Sequence, residues 1–212
     1  MRRRPRPRGV ANTAIAVVTG VALCSGVWLL IGAADRPAPP QPSAAEARPG
    51  GADVRAAPAL PASPPDRVRI PSIHVDAPLT GLGLTESGSL DVPDPARENL
   101  AGWYEAGVTP GETGTAIVAG HVDNADGPAV FYDLGALKKG AAIEVDRRDG
   151  AVAVFTVDAV EVYQASAFPD RKVYGAASRP ELRVITCGGG YSRSTGYRGN
   201  VVVFAHLTGT RP

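Results

Sequence analysis

Residues 181–207 read ELRVITCGGGYSRSTGYRGNVVVFAHL, and this stretch decides the fold class. Two apolar runs rich in valine and isoleucine flank a segment of small and polar residues, a pattern typical of two strands joined by a turn. The first run ends at Cys187, where three glycines free the backbone to turn sharply. The sequence therefore predicts a strand that presents a cysteine side chain at its end.

Similar short runs recur between residues 67 and 212. Alternating apolar and polar side chains at 143–145 and 157–162 indicate half-buried strands. Residues 127–137 fit one short helix. The runs interpreted as strands begin at Val68, Ser89, Thr115, Ala141, Val152, Glu181 and Asn200. This all-β pattern with short helices favours a closed barrel, because closure removes exposed strand edges.

The charges balance overall but are divided unequally along the chain. With 22 Lys and Arg against 21 Asp and Glu, the protein has no positive field to hold nucleic acid, so we expect no nucleic-acid partner. Residues 1–66 carry 8 basic and 4 acidic side chains, whereas residues 67–212 carry 14 and 17. We expect the two parts to lie in different surroundings.

An arginine-rich start precedes an uncharged apolar run of 25 residues from Val10 to Ala34. As a helix this run would be about 37 Å long, enough to cross a hydrocarbon core of about 30 Å. The arginines predict that residues 1–9 form a cytoplasmic tail, that residues 10–34 form a single-pass anchor in the cell membrane, and that the remainder is extracellular. A cleaved signal peptide is the alternative, although its apolar region would normally be shorter.

Residues 35–66 contain nine prolines and nine alanines but few large apolar side chains. Such a stretch cannot bury enough surface to offset the entropy of ordering it. We therefore predict a disordered, extended Pro/Ala-rich linker that holds one domain, residues 67–212, away from the membrane.

Cys187 is the one cysteine that follows the apolar run, since Cys24 lies within it. A lone cysteine in an exported domain is an inert buried thiol, a nucleophile or a partner in an intermolecular disulfide. His121 also follows a predicted strand, and a thiolate needs an electropositive neighbour to lower its pKa. Cys–His catalysis is therefore a candidate chemistry, whereas His74 and His206 fit surface or packing roles. Because no Cys, His or Asp cluster has ligand spacing, we predict no metal site.

Five strings in this order resemble the sortase family, and class F sortases of actinobacteria most closely: TAIVAGHVDN, GPAVFYDLGALKKG, FPDRKVYG, ELRVITCGGGYSRSTGY and NVVVFAHL. The resemblance covers nearly all of residues 67–212. It implies an eight-stranded β-barrel and a membrane-tethered cysteine transpeptidase of a Gram-positive bacterium, working without a cofactor. Such an enzyme cleaves surface proteins at a C-terminal Leu-Pro-x-Thr-Gly-like sorting motif, between Thr and Gly. It then joins them to an amine of a peptidoglycan precursor.

The resemblance also implies roles for individual residues. Cys187 matches the family nucleophile, and His121 matches the histidine that protonates the leaving amine and deprotonates the incoming one. Thr186 matches a threonine that helps to hold the substrate or the oxyanion.

The cation at the developing oxyanion is where this sequence departs from many sortases. Asn200 occupies the place where they have an arginine just before the last strand. Arg198 is the nearest replacement, and Arg193 in the preceding loop is the alternative.

Asp123 lies two residues after His121 and fits two readings equally. It either orients the imidazole or its loop, or caps a turn over residues 123–127. Phe131 and Tyr132 fit packing of the short helix against the barrel. We expect a monomer. A catalytically silent, membrane-tethered binding module is the alternative function, and an enzyme that mainly hydrolyses its substrate is a third hypothesis.

Overall fold

Eight strands form in the part of the chain that the computed structural model describes, residues 38–47, 55–192, 194 and 196–212. They are β1 Pro65–Ile70, β2 Val75–Leu82, β3 Ala101–Tyr104, β4 Gly114–Gly120, β5 Ala142–Arg147, β6 Val152–Gln164, β7 Pro180–Ser192 and β8 Gly196–Arg211. They close into a barrel in the order β1–β2–β3–β4–β7–β8–β6–β5. The pairs β2–β3 and β4–β7 are parallel and the others antiparallel. The eight-stranded barrel implied by the resemblance is confirmed.

The apolar run of β8 is buried on both faces, from residue 201 to 207. Its odd-numbered residues belong to the core inside the barrel, whereas Val202 and Phe204 belong to a second apolar cluster on the outside. That outer cluster includes Val173 and contacts Phe168, both in the connection between β6 and β7. Burial on two faces explains why residues 201–205 are all apolar. The same packing holds the β6–β7 connection, with its one-turn helix α1, Asp170–Val173, against the barrel.

The prediction of a strand at residues 89–93 is wrong. Leu90 forms only an isolated bridge with Leu84, within the loop that joins β2 to β3. Pro93 and Pro95 in this loop have no N–H to donate to a ladder, so the segment cannot extend into a paired strand. The neighbouring strand β3 is absent from the predicted runs, because four residues including a glycine give little pattern.

The helix predicted over residues 127–137 is limited to a 3₁₀ helix, Tyr132–Ala136. The backbone N–H of Phe131 donates to the carbonyl oxygen of His121 at 3.0 Å. This bond ties the segment before the helix alongside the end of β4, so helical hydrogen bonding begins only afterwards.

The linker predicted over residues 35–66 meets the barrel before its end. The N–H of Ala57 donates to the carbonyl oxygen of Leu207 at 2.8 Å. The guanidinium of Arg147, whose side chain is fully buried, donates to the carbonyl oxygen of Pro61 at 2.6 Å. The last two residues of the predicted linker already belong to β1. The final part of this segment is therefore packed against the barrel. Glu46, earlier in the segment, is also bound, because its carbonyl oxygen accepts from the N–H of Val160 at 3.1 Å and its Oε2 from that of Lys139 at 2.8 Å.

The predicted cytoplasmic tail, residues 1–9, and the predicted anchor, residues 10–34, lie outside the described residues. In the described part of the chain, no helix is both long enough and apolar enough to span a membrane.

Candidate active site

Two parallel strands bring Cys187 and His121 to the same edge of the barrel. The last paired positions of β4 and β7 are Ala119 and Ile185. His121 directly follows β4, and Cys187 lies two residues beyond Ile185 in β7. Because the two strands run in the same direction, both side chains reach one edge, where both line a single groove.

The strand β7 does not end at Cys187, as the pattern predicted, but continues to Ser192. Its register with β8 shifts beyond Gly188, where Gly189 and Gly190 have φ angles of 76° and 88°. Glycine adopts this left-handed conformation without strain, which allows the strand to bulge. The glycines therefore widen the β7–β8 hairpin beside the half-buried thiol instead of ending the strand.

The groove has a volume of about 580 Å³. Apolar side chains line it together with two carboxylates, Asp91 and Asp170, and none of its described lining residues is Lys or Arg. The β2–β3 loop lines one side of the groove with residues 88–92, and the β6–β7 connection lines another with residues 165–168, Asp170 and Tyr174. The ends of the strands line the rest, with residues 119–121, 185–187 and Asn200. Its size and partly apolar walls are those of a site that takes a short peptide or a small molecule.

The imidazole of His121 is held by the β2–β3 loop. Its Nε2 lies 2.8 Å from the carbonyl oxygen of Pro93. A carbonyl oxygen only accepts hydrogen bonds, so Nε2 carries the hydrogen in this contact. In the neutral ring, Nδ1 then carries no hydrogen. Because Pro93 directly follows the wall at residues 88–92, the loop that borders the groove also orients the imidazole.

The buried hydroxyl of Thr186 donates to the carbonyl oxygen of Gly120 at 2.8 Å. This bond joins β7 to the end of β4, one residue before Cys187 and one residue before His121. The hydroxyl proton is thus directed to the protein backbone, although Thr186 also lines the groove.

Asp123 and its neighbour Asn124 make different contacts. The Tyr197 hydroxyl donates to Oδ2 of Asp123 at 2.5 Å. Oδ1 of Asn124 accepts from the N–H groups of Asp126 and Gly127, at 2.9 and 3.0 Å. Asn124 therefore caps the turn, and Asp123 reaches across to β8.

Two of the three residues considered for the oxyanion, Asn200 and Arg198, lie in the described part of the chain. Asn200 stands opposite Cys187 in the β7–β8 register and lines the groove. Arg198 is exposed and is not among the described lining residues. Its guanidinium lies beside Gly190, where an added Cβ would stand 3.2 Å from Nη2. Arg193 lies outside the described residues.

The other two histidines lie away from the groove. His74 is exposed in the turn between β1 and β2, with a φ of 56°. His206 is buried, with Nδ1 2.8 Å from Oδ1 of Asp158. Among the described residues, no group of three or more His, Cys, Asp or Glu side chains is placed to hold a metal ion.

The sequence interpretation missed Tyr197 and the groove walls. Burial, and then the hydrogen bond to Asp123, raises the pKa of Tyr197. No local pattern marks this pair, because the two residues are 74 positions apart. The wall that includes Phe168 and Tyr174 carried a signal, since two aromatic residues stand in the short motif FPDRKVYG.

Comparisons with solved structures find the same barrel in sortases. Sortase A of Listeria monocytogenes is 16% identical with a TM-score of 0.51, covering 70% of this chain and 90% of that one. Sortase A from Corynebacterium diphtheriae is 18% identical with a TM-score of 0.52, covering 72% and 64%. Sortase C-1 from Streptococcus pneumoniae is 22% identical with a TM-score of 0.51, covering 67% and 65%. At these identities the likeness shows the fold.

Comparison by sequence gives the family. Among curated proteins, no sequence matches this chain. The model of the sortase domain matches residues 68–208, from β1 to near the end of β8. That match spans most of the chain, so the protein belongs to the sortase family.

Proposed function

We propose that this sortase is a cysteine transpeptidase that cleaves a Leu-Pro-x-Thr-Gly-like sorting motif between Thr and Gly. Sortases as a family are cysteine transpeptidases, and the chain contains a sortase domain. The observation that carries the proposal is that Cys187 and His121 line one groove from adjacent parallel strands. A thiol near an imidazole is the pair that this chemistry needs, because the imidazolium favours the thiolate.

In the first half of the reaction, the Cys187 thiolate attacks the carbonyl carbon of the substrate threonine. A C–S bond forms, and the carbonyl π electrons move onto oxygen as an oxyanion. The intermediate collapses, the C–N bond to glycine breaks, and the imidazolium of His121 gives its proton to the leaving amine. The enzyme then holds the substrate protein as a thioester.

In the second half, the acceptor amine attacks the thioester carbonyl carbon. Neutral His121 removes a proton from the amine, the new C–N bond forms, and the C–S bond breaks to return the thiolate. Because the contact with Pro93 keeps the hydrogen on Nε2, both proton transfers take place at Nδ1. One imidazole can serve both halves, because the histidine side chain is both a proton donor and a proton acceptor in its two protonation states.

We assign stabilisation of the oxyanion to the guanidinium of Arg198, with the side-chain amide of Asn200 as a supporting hydrogen-bond donor. Residues two apart on a strand share a face, and Asn200 lines the groove opposite Cys187. The Arg198 guanidinium already lies against the hairpin that carries the thiol, beside Gly190. A charged donor stabilises an oxyanion more strongly than an amide does.

The apolar residues that line the groove support a peptide as its occupant. Leu90, Phe168 and Ile185 offer apolar contacts to the leucine and proline of such a motif, while the threonine carbonyl would lie over Cys187.

We further propose that the enzyme is an actinobacterial class F sortase, monomeric and anchored in the cell membrane by residues 10–34. The arginines of residues 1–9 and the uncharged run after them support a cytoplasmic N-terminus and an extracellular catalytic domain. Its partners would then be surface proteins with a sorting signal and an amine of a peptidoglycan precursor. Fractionation of cells that express the full chain, or a deletion of residues 10–34, tests the anchor.

The reaction is tested by product masses from the full chain in detergent with a Leu-Pro-x-Thr-Gly peptide, with and without triglycine as the acceptor. We expect a product extended by triglycine only when triglycine is present, and no product from Cys187→Ala. A hydrolysed product alone in both mixtures would favour the hydrolase. Peptide binding without turnover, equal in wild type and Cys187→Ala, would favour the silent binding module.

A further inference from the structure

The ladder that joins the two catalytic strands stops short of the catalytic side chains. Pairing between β4 and β7 ends at Ala119 and Ile185, and the Thr186 hydroxyl adds one bond to Gly120. Beyond these residues, β7 pairs with β8 alone as far as Ser192. Among the described residues, no backbone pairing between strands therefore joins the hairpin beyond Thr186 to the loop that follows His121.

A side-chain hydrogen bond between Tyr197 and Asp123 crosses this gap. Tyr197, near the start of β8, donates its hydroxyl to Oδ2 of Asp123 at 2.5 Å. Its ring packs on Tyr191 of β7, with centroids 5.1 Å apart, so the phenol is supported from both strands of the hairpin. Asp123 is two residues from His121, in a loop that Asn124 anchors by donating its side-chain N–H to the carbonyl oxygen of Pro95 at 3.1 Å.

The electrostatics keep this contact in place. Burial is the main reason that the pKa of Tyr197 is raised, and the bond to the Asp123 carboxylate and the charge of Cys187 raise it further. The phenol therefore keeps its proton, and remains a donor, over the whole range in which a Cys–His pair works.

We propose that Tyr197 is a positioning residue, whose hydrogen bond to Asp123 sets the separation of the Cys187 thiol from the His121 imidazole. The Thr186–Gly120 bond and the Tyr197–Asp123 bond each join the hairpin that carries Cys187 to the segment that carries His121. The proposal rests on the proposed transpeptidase function. It adds a residue that touches neither substrate nor the reacting atoms.

The test compares Tyr197→Phe with Tyr191→Phe in the full chain. Each variant removes one phenol oxygen from the same ring pair, but among the described residues the Tyr191 hydroxyl has no hydrogen-bond partner. We expect Tyr197→Phe to lower kcat about tenfold, since small misplacements of reacting groups are costly. KM for the peptide should stay within about twofold of wild type, because the groove walls are untouched. Tyr191→Phe should match wild type.

Variants of Asp123 separate the hydrogen bond from the carboxylate charge. Asp123→Asn keeps an acceptor oxygen for Tyr197, so it should lose less activity than Asp123→Ala. The double variant Tyr197→Phe/Asp123→Ala should be no slower than Asp123→Ala alone, because both changes remove one interaction. Wild-type kcat in Tyr197→Phe, a change confined to KM, or additive losses in the double variant would each overturn the proposal.

A substrate-independent measurement separates this proposal from the function on which it rests. Alkylation of Cys187 by iodoacetamide at neutral pH, followed by mass analysis of the peptide that contains it, reports on the thiolate that the imidazole stabilises. We expect alkylation several-fold slower in Tyr197→Phe than in Tyr191→Phe. Equal rates would refute the positioning role. Slower alkylation with no peptide turnover in wild type would uphold it and count against the chosen sorting motif.

Discussion

Replacing Thr186 with valine removes one hydrogen bond at the place where the two catalytic strands meet. The Thr186 hydroxyl is buried and donates to the carbonyl oxygen of Gly120 at 2.8 Å. Valine has nearly the same shape, so the variant leaves no cavity but deprives Gly120 of this donor. The residue after Gly120 is His121, and the change therefore acts on the imidazole through a single peptide unit.

The expected magnitude follows from the burial of this bond. A buried hydrogen bond contributes about 1 kcal/mol, and a carbonyl oxygen deprived of its donor adds to the loss. The free energy of unfolding should fall by about 1–2 kcal/mol. Activity should fall about tenfold in kcat, because β7 and β4 can then shift relative to each other and misplace Cys187 against His121.

The control is Thr208→Val, eight residues beyond Asn200 along β8. The half-buried Thr208 hydroxyl lies 2.9 Å from that of Thr156 and donates to the carbonyl oxygen of Val154 at 3.3 Å, away from the groove. Urea unfolding and peptide turnover are measured for both variants. Thr208→Val should lose some stability but keep wild-type kcat. If both variants lose activity in proportion to stability, or if Thr186→Val keeps full kcat, the reasoning about strand alignment is wrong.

Three further predictions concern the packing at Gly120, the donors to the oxyanion and the pKa of Tyr197. A Cβ at Gly120 would stand 2.7 Å from Cδ2 of Phe131 and from Cγ1 of Val130. Gly120→Ala should therefore lower the free energy of unfolding by about 1–3 kcal/mol in urea titrations, and an unchanged midpoint would contradict this packing. Arg198→Ala should reduce kcat by about 10²–10³ and Asn200→Ala by less, in the same turnover assay; the opposite order would make the amide the main oxyanion donor. The pKa of Tyr197 is raised by burial and by its bond to Asp123, so its stabilising contribution is complete below about pH 10 and is lost as the pH rises towards the folded-state pKa. Between about pH 9 and 11, wild type should lose more unfolding free energy than Tyr197→Phe, and parallel pH curves would contradict the shift.

The sequence was most informative where a strand and a reactive side chain coincide. The apolar run before Cys187 and the run before His121 predict two strands, and the structure pairs these strands in parallel. Their pairing partner is not encoded locally, because residues 119 and 185 meet only through the barrel topology. The alternation of apolar and polar residues only favoured a closed barrel, whereas the resemblance to sortases predicted a barrel of eight strands.

Other features were missed because their causes are not local. The glycines after Cys187 predict the end of a strand, yet β8 pairs on both sides of them and keeps β7 extended to Ser192. Nothing in the sequence marks Asp123 as the partner of Tyr197, because the contact depends on the placement of the β7–β8 hairpin relative to the loop after β4. Residues 57–66 look like linker by composition, but buried donors such as Arg147 bind their backbone.

In the proposed reaction, Cys187 attacks a sorting peptide and His121 completes the transfer. The most direct test is the intact mass of the full chain after mixing with a Leu-Pro-x-Thr-Gly peptide, beside Cys187→Ala and His121→Ala. We expect a mass increase equal to the acyl fragment in wild type and none in Cys187→Ala. With His121→Ala, we expect the same adduct to form far more slowly. An adduct that persists in Cys187→Ala, or a folded His121→Ala variant that turns over the peptide as fast as wild type, would contradict this mechanism.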